Sequence, residues 1–282
     1  MRWGSDAGSG DIEDRRGSGF GGGGMKIGCG GLLFLGLLSL LFKQDLITPF
    51  LGGGGVAPGG GGGDDPARRA AEEPLVRTVS NTFGDLQQYW AQALPAAMGS
   101  SYRKSVLVLF WDIEGSGCGT AEAMTGPFYC PADEKVYIDL GFYKELRTRF
   151  GAPGDFAQAY VIAHEVGHHI QKLTGTERRV RAAQEKAPQL ANQLSVRMEL
   201  QADCYAGAWG YSANKRGILE PGEAQQAVTA AAAIGDDRIQ RMSGRAVNGE
   251  TFTHGSSAQR VEWFTRGFSS GKPEACDTFE AN

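Results

Sequence analysis

The chain has 282 residues, of which 41% are hydrophobic and 21% are charged, and its formal net charge is −4. This apolar content is sufficient for a buried core, so disorder over the whole length is excluded. The mildly acidic balance argues against a protein that mainly binds nucleic acid, and we expect no nucleic-acid partner. Glycine is unusually frequent: 22 of the 43 glycines fall in residues 1–63, so the excess belongs to one end of the chain.

The N-terminal quarter divides into three segments by composition. Residues 1–24 mix Gly, Ser, Asp and Arg with few apolar residues, which predicts a disordered tail. Residues 25–48 include sixteen consecutive uncharged residues, 27–42, and predict a single transmembrane helix that anchors the protein in membrane lipid. Residues 49–74 are rich in glycine and predict a flexible linker to a domain over residues 75–282.

Two other interpretations of the apolar segment are a cleaved signal peptide and a buried core helix. The polar region before the segment is long, and no small-x-small cleavage pattern follows it, which favours an uncleaved anchor. Arg15, Arg16 and Lys26 precede the span. The positive-inside rule therefore places the N-terminus in the cytoplasm and the domain outside it, in the periplasm or at the cell surface.

The first half of the domain predicts two short strands with a loop between them. Residues 105–111, SVLVLFW, are apolar and β-branched, and residues 135–139, KVYID, alternate in polarity. The intervening residues, 115–131, have the composition of a loop. Apolar periodicity also predicts helices over residues 76–94, which Pro95 would end, and over residues 142–150.

The second half of the domain predicts helices. Asp155 can cap a helix over residues 156–173, and Gly175 follows its end. A long helix is expected over residues 188–215, followed by an alanine-rich helix over residues 223–234. Ser256 and Gln259 form a capping-box pattern before a last helix that reaches about residue 268. The predicted fold class is α+β, mostly helical with a small sheet.

Cysteine usage points to an oxidising compartment. Cys29 lies in the predicted membrane segment, and the other four are Cys118, Cys130, Cys204 and Cys276. An even number fits two disulfides, for which three pairings exist. We expect a local Cys118–Cys130 bridge and a Cys204–Cys276 bridge as the remainder. The alternative is four separate buried thiols.

Three of the four histidines fall within six residues, in the sequence HEVGHH at residues 164–169. His164 and His168 are four residues apart in a predicted helix, so both rings project from one face and can bind one metal ion. Glu165 stands beside them, where its carboxylate can take a proton from a water molecule at the metal. The pattern predicts a catalytic site with one Zn²⁺ ion.

Catalytic zinc usually has three protein ligands, and no third histidine follows at short spacing. The best candidate for the third ligand is Glu199, in the sequence ELQAD on the next long helix. Asp203 lies one turn later on the same face and is expected to accept a hydrogen bond from the second ring nitrogen of His168. The alternative is that both carboxylates form a solvated face, but their neighbours are strongly apolar.

The remaining polar candidates are His169, His254 and Tyr205. His169 points about 100° away from His168 around the helix, which favours a surface or supporting role. His254 is either an ordinary loop residue or a catalytic residue that stabilises the oxyanion formed at the scissile carbonyl. Tyr205 is expected in the core.

The sequence resembles the bacterial family of membrane-anchored neutral zinc metallopeptidases, and the resemblance covers nearly the whole chain. The matching segments are MRW at residues 1–3, EDRR at 13–16, GPFYCP at 126–131, residues 160–171, ELQADCYAG at 199–207, THGSS at 253–257 and CDTF at 276–279. The resemblance implies a zincin-like domain whose zinc is bound by HExxH and a distant glutamate. It also implies a peptide or protein substrate.

The resulting hypothesis is a membrane-anchored zinc peptidase that uses Glu165 as general base. Two alternatives use the same residues: a membrane-tethered binding or scaffold protein with a structural zinc site, and a zinc amidase acting on a non-peptide amide of the cell wall. A structural zinc site normally has four protein ligands, and the sequence offers three good ones.

Overall fold

The computed structural model describes residues 1–3, 10–18, 64–122 and 126–280. Contacts divide the chain into two units, residues 1–16 with 66–282 and residues 17–65. The predicted membrane segment and Cys29 lie outside the described residues. Within the described part of the chain, no helix has the length and the apolar character that crossing a bilayer requires.

A four-stranded sheet with the order β1-β2-β6-β5 forms the β layer of the first unit. Strands β1, β2 and β6 are parallel, and β5 runs antiparallel to β6. A separate hairpin pairs β3 with β4. The strands are β1 Ile12–Asp14, β2 Val106–Phe110, β3 Ile113–Ser116, β4 Gly119–Glu122, β5 Phe128–Cys130 and β6 Lys135–Asp139.

Helices make up most of the rest of this unit, which is therefore α+β and mostly helical. They are α1 Pro66–Met98, α2 Gly141–Thr148, α3 Asp155–Leu173, α4 Thr176–Lys186, α5 Ala191–Lys215, α6 Glu223–Ala233, α7 Asp236–Met242 and α8 Ser257–Ser270. Short 3₁₀ turns cover Pro188–Leu190, Gly249–Thr251 and Pro273–Cys276. The capping box predicted at Ser256 and Gln259 is confirmed at the start of α8.

The prediction of a disordered tail is wrong for the described residues before Gly17. Strand β1 extends the central sheet, with Ile12 opposite Leu107 and Asp14 opposite Leu109. Arg16 is 2% exposed and forms ion pairs with Asp14 and Glu72. Composition missed this strand because its stability comes from a partner strand far along the chain, and local apolar content does not report that partner.

Several predicted boundaries also differ from the structure. Helix α1 begins at Pro66, within the predicted linker, and continues through Pro95 to Met98. Pro95 has no amide proton to donate, but the helix continues for about one turn beyond it, and the carbonyl of Pro95 accepts a bond from the Gly99 amide (3.1 Å). The loop predicted over residues 115–131 contains the end of β3 and all of β4 and β5, and the disulfide Cys118–Cys130 links the hairpin turn to β5.

Helices α4 and α7 were not predicted. Each has a strongly polar sequence, TERRVRAAQEK in α4 and DDRIQRM in α7. Few of their residues are buried, so neither has the apolar stripe from which a helix is recognised. Both predicted disulfides, Cys118–Cys130 and Cys204–Cys276, are confirmed.

Glycines allow α5 and α8 to cross with their backbones in contact. A Cβ atom at Gly207 would lie 2.1 Å from the carbonyl oxygen of Phe264, and one at Gly267 would lie 2.0 Å from the carbonyl oxygen of Cys204. Both distances are far below van der Waals contact. The two helices can therefore pack at this distance only with glycine at both positions.

Replacing Gly207 with alanine should lower the free energy of unfolding by about 3 kcal/mol, because overpacking forces these backbones apart. Gly249→Ala is the matched control, since a Cβ atom there meets nothing within 4 Å. Urea unfolding of both variants measures the difference. Equal stability of the two variants would contradict the crossing.

Candidate metal centre

Two helices bring the predicted metal ligands together. Helix α3 carries His164, Glu165 and His168, and α5 carries Glu199. The helices approach closely at Gly167, where a Cβ atom would lie only 3.0 Å from the Cα atom of Ala202. Glycine in the middle of the HEVGH sequence thus allows α5 to reach the histidine face of α3.

The side chains of His164, His168 and Glu199 form one cluster whose potential ligand atoms all lie within 4.8 Å of one another. Nε2 of His164 is 3.0 Å from Oε2 of Glu199, and Nε2 of His168 is 3.5 Å from Oε1 of the same carboxylate. Tetrahedral zinc with bonds of about 2.0–2.1 Å places its ligand atoms about 3.3 Å apart. The observed separations fit such an ion.

The other ring nitrogens of both histidines have partners, which orients the rings. Nδ1 of His164 lies 2.8 Å from Oδ1 of Asp203, and Nδ1 of His168 lies 2.9 Å from Oε1 of Gln171. An oxygen acceptor at Nδ1 fixes the proton there and leaves the Nε2 lone pair for a metal. Gln171 is itself held by a hydrogen bond from its amide to the carbonyl of Met198 (2.7 Å).

The expected partnership between Asp203 and His168 is wrong: Asp203 supports His164. In the packed helices, Asp203 of α5 lies beside the first histidine of the motif, and Gln171, one turn further along α3, serves the second. Which histidine receives the aspartate depends on the relative rotation of α3 and α5, and residue spacing does not report that rotation.

Asp203 is fully buried and accepts hydrogen bonds from three side chains. Besides His164, these are the hydroxyl of Tyr160 (2.5 Å) and the guanidinium of Arg260, whose Nε and Nη2 donate to the two carboxylate oxygens at 2.9 Å each. Burial opposes ionisation of Asp203, but Arg260 and His164 outweigh it and lower the pKa of this carboxyl group. The buried aspartate is therefore charged.

Charges within the ligand cluster also shift the pKa values of its members against the effect of burial. Burial disfavours the charged form of His164, but Asp203 and Glu199 outweigh burial and raise its pKa to about 10. Burial also opposes the charge of Glu199, and His168 and His164 overcome it, so the pKa of Glu199 is lowered. The cluster thus favours a cation at its centre. Metal binding there would displace a proton from His164.

Glu165 faces the same cavity but lies outside the ligand cluster. Its side chain is buried, and this burial raises the pKa of the carboxyl group, although His164 and His168 partly oppose the effect. A carboxylate with a raised pKa is a better proton acceptor, and general bases need that property near neutral pH.

His254 also lines this cavity and lies in the segment before α8. Its Nδ1 atom lies 3.3 Å from Oδ1 of Asp236. The other carboxylate oxygen, Oδ2, accepts hydrogen bonds from the backbone amides of Thr253 and His254 at 2.7 Å each. The hydrogen bond with Asp236 raises the pKa of His254. Asp236 therefore both holds the loop and favours the imidazolium.

The cavity has a volume of about 700 Å³ and contains the ligand cluster, Glu165 and His254. Its walls are mostly apolar and aromatic, with charged residues among them. The lining residues outside the polar cluster include Phe128, Tyr129, Phe142, Phe150, Val161, Val180, Met198, Ile234 and Ile239, with Glu145, Arg149, Glu177 and Arg181.

His169 and Tyr205 are not part of the cluster. His169 is fully buried, so the expected surface position is wrong. Its Nε2 donates to the carbonyl of Arg103 (2.6 Å), and its Nδ1 bonds the hydroxyl of Tyr129 (2.9 Å), which ties α3 to β5. Tyr205 is buried in the core against Trp90, as predicted.

Sequence reasoning missed four residues of the site: Tyr160, Gln171, Asp236 and Arg260. The first two stand one turn from a histidine of the motif, at positions −4 and +3, so helical spacing could have identified them. Asp236 and Arg260 come from helices far along the chain and carry no local signal.

A metal-binding HExxH helix with a glutamate ligand from a second helix is the arrangement of a zinc hydrolase site. The family described as "Putative neutral zinc metallopeptidase" matches residues 1–279, and the chain belongs to this family. It is 44% identical to "Uncharacterized protein YpfJ" of Escherichia coli (strain K12) over 99% of both chains.

A mycobacterial relative shows a similar level of identity. "Uncharacterized protein Rv2575" of Mycobacterium tuberculosis (strain ATCC 25618 / H37Rv) is 44% identical over 71% of this chain and 69% of its own. No solved structure matches the chain.

If Asp203 and Gln171 orient the two histidines, then Asp203→Asn and Gln171→Ala should each weaken zinc binding about 10–100-fold. Gln184→Ala is the control, because Gln184 lines the same cavity and its amide donates to Ser195 and to the Ala191 carbonyl. Competition with a chromogenic chelator measures the affinities. Wild-type zinc affinity in a folded Gln171→Ala protein would contradict the assignment.

Proposed function

We propose that this protein is a zinc-dependent peptidase with a zincin-like catalytic domain. The observation that carries the proposal is the convergence of His164, His168 and Glu199 beside the carboxylate of Glu165 in an open cavity. Membership of a family described as a zinc metallopeptidase supports the same conclusion.

His164, His168 and Glu199 would hold the ion. Zinc bound there supplies Lewis acidity, which makes water nucleophilic near neutral pH and polarises a substrate carbonyl. Glu165 accepts a proton as water attacks the peptide carbonyl, and then delivers this proton to the leaving nitrogen as the C–N bond breaks. The reaction consumes one water molecule and produces a carboxyl group and an amine.

We infer that His254, which lines the same cavity, stabilises the developing oxyanion. Because Nδ1 lies beside Asp236 and the hydroxyl of Thr253, protonated His254 would use Nε2 to donate to this oxyanion. Asp236 acts as a positioning residue, because it orients the imidazole and favours its charged form.

A peptide or protein substrate fits the walls of the cavity. Strand β5 lies at the edge of the sheet, and its residues Phe128 and Tyr129 line the cavity. An extended peptide can pair with an exposed edge strand and place alternate side chains in apolar pockets. This feature favours a peptide over a non-peptide cell-wall amide.

The scaffold alternative is less well supported. A structural zinc site is normally closed by four protein ligands, and the described residues supply a cluster of three that opens into the cavity. Glu165 would also have no role in such a site.

We further propose that the domain works outside the cytoplasm and is attached to a membrane. Two disulfides support an oxidising compartment. The uncharged residues 27–42 support association with membrane lipid.

The Glu165→Gln variant should retain zinc, and its rate of peptide hydrolysis should be about 10²–10⁴-fold lower, because glutamine cannot accept the proton. Zinc content by atomic absorption and cleavage of a peptide library measure the two properties separately. Glu185→Gln, an exposed change on α4, is the control. A zinc-replete Glu165→Gln protein with full activity would exclude the general-base role, and a zinc-replete wild type that cleaves no peptide would favour a scaffold.

The pH dependence of kcat/KM should follow the protonation state of His254. The charged groups around His254 are Asp236 and Glu199, which raise its pKa, and Arg260, which lowers it. As pH rises through this raised pKa, Nε2 loses its proton and can no longer donate, so kcat/KM should fall. In Asp236→Asn the pKa is lower, and the fall should begin at lower pH. An alkaline limb that does not move in this variant would contradict the role of His254.

A further inference from the structure

Strand β1 belongs to the same sheet as the strands of the proposed peptidase domain. It pairs in parallel with β2, and the backbone bonds extend on both sides of the strand: Leu107 donates to the carbonyl of Asp11 (2.9 Å), and Arg15 donates to the carbonyl of Leu109 (2.8 Å). Without β1, strand β2 would be an edge with unpaired backbone groups.

Side chains also connect this segment to the domain. Lys135 of β6 lies 2.7 Å from Glu13, and Lys104, before β2, lies 2.9 Å from Asp11. The nearly buried guanidinium of Arg16 lies 3.0 Å from Glu72 of α1. A buried charge without this partner is costly, so the contact is a built part of the fold.

The chain leaves this unit and returns to it at one place. Arg69, in the first turn of α1, lies 2.9 Å from Asp14 and also donates to the carbonyl of Arg16. Residues 16 and 66 therefore border the same corner of the unit, and the 49 residues between them contain the apolar segment 27–42.

We propose that residues 1–16 and 66–282 lie on the same side of the membrane, and that the chain between them meets the bilayer from that side only. A single crossing would separate β1 from β2 by a hydrocarbon core about 30 Å thick. Exchange of β1 between two copies does not remove this conflict, because both copies have the same orientation in the membrane.

Two crossings would return the chain to the starting side, but the segment between residues 16 and 66 contains too few apolar residues for two membrane-spanning helices. Each helical crossing needs about 20 predominantly apolar residues. The interval offers residues 27–42 and, after Lys43 and Asp45, the six residues LITPFL at 46–51. The uncharged residues 52–63 that follow include nine glycines, so they do not supply a second apolar span. This proposal replaces the single-span topology expected from the sequence, and it does not depend on peptidase activity.

Thiol labelling in sealed cells tests the proposal. Gly10→Cys reports on the N-terminal segment and Gly249→Cys on the domain, because both positions are exposed and an added Cβ atom meets nothing within 4 Å. Each is made in a Cys29→Ser background, so that the new thiol is the only one outside the two disulfides. A membrane-impermeant maleimide is applied before and after permeabilisation with detergent.

The expected result is that both positions react under the same condition, either both in sealed cells or both only after permeabilisation. Labelling of one position in sealed cells and of the other only after permeabilisation would overturn the proposal. Variants that retain the disulfides and resist proteolysis are used, so that a misfolded protein does not enter the comparison.

A zero-length carbodiimide cross-link provides an independent measurement in native membranes. It should join Glu13 to Lys135, whose charged atoms lie 2.7 Å apart, and mass spectrometry of the digested protein identifies the joined peptides. Glu13→Gln should abolish this product while Asp11 still joins to Lys104. Absence of both products from the folded wild-type protein would show that β1 is not in the sheet, and would overturn the proposal.

Discussion

The close packing of α3 against α5 is the constraint on which the metal centre depends. At Gly167 the two backbones come so near that a methyl group would strain against Ala202. About one turn before this contact and directly after it, the helices present two histidines and two carboxylates to each other. The ligand set is therefore a property of an interface between helices, and any change that separates them by an ångström alters the distances between donor atoms.

Charge pairing also stabilises this arrangement of α3 and α5. Asp203 is a charged side chain with no exposure to solvent. The free-energy cost of burying this charge is offset by Arg260 from α8 and His164 from α3. Three helices thus meet at one carboxylate. The arrangement connects the packing of α5 on α8, through Gly207 and Gly267, to the orientation of His164, a candidate metal ligand. Stability and function share these contacts, so substitutions here will be hard to assign to one alone.

Local patterns in the sequence were sufficient for part of this architecture. His164, His168 and Glu165 follow from helical spacing, and Glu199 follows from an acidic residue among apolar neighbours on the next long helix. The partner of His164 was missed because it depends on how α3 and α5 are rotated against each other. Arg260 and Asp236 arrive from distant segments, and β1 is a strand only because β2 accepts it. In each case the missing information is tertiary contact, which propensity and spacing do not contain.

The Cys204–Cys276 bridge has a consequence for when the site is complete. Cys204 follows Asp203 directly, and the bridge closes a loop with a sequence separation of 72 that includes Asp236, His254 and Arg260. In the chain-entropy treatment, closing a loop of this length is worth about 4 kcal/mol, a large share of the 5–15 kcal/mol typical of whole domains. A newly made chain with reduced thiols lacks that contribution. Formation of the bridge therefore stabilises the folded arrangement in which Asp236, His254 and Arg260 reach the candidate metal centre.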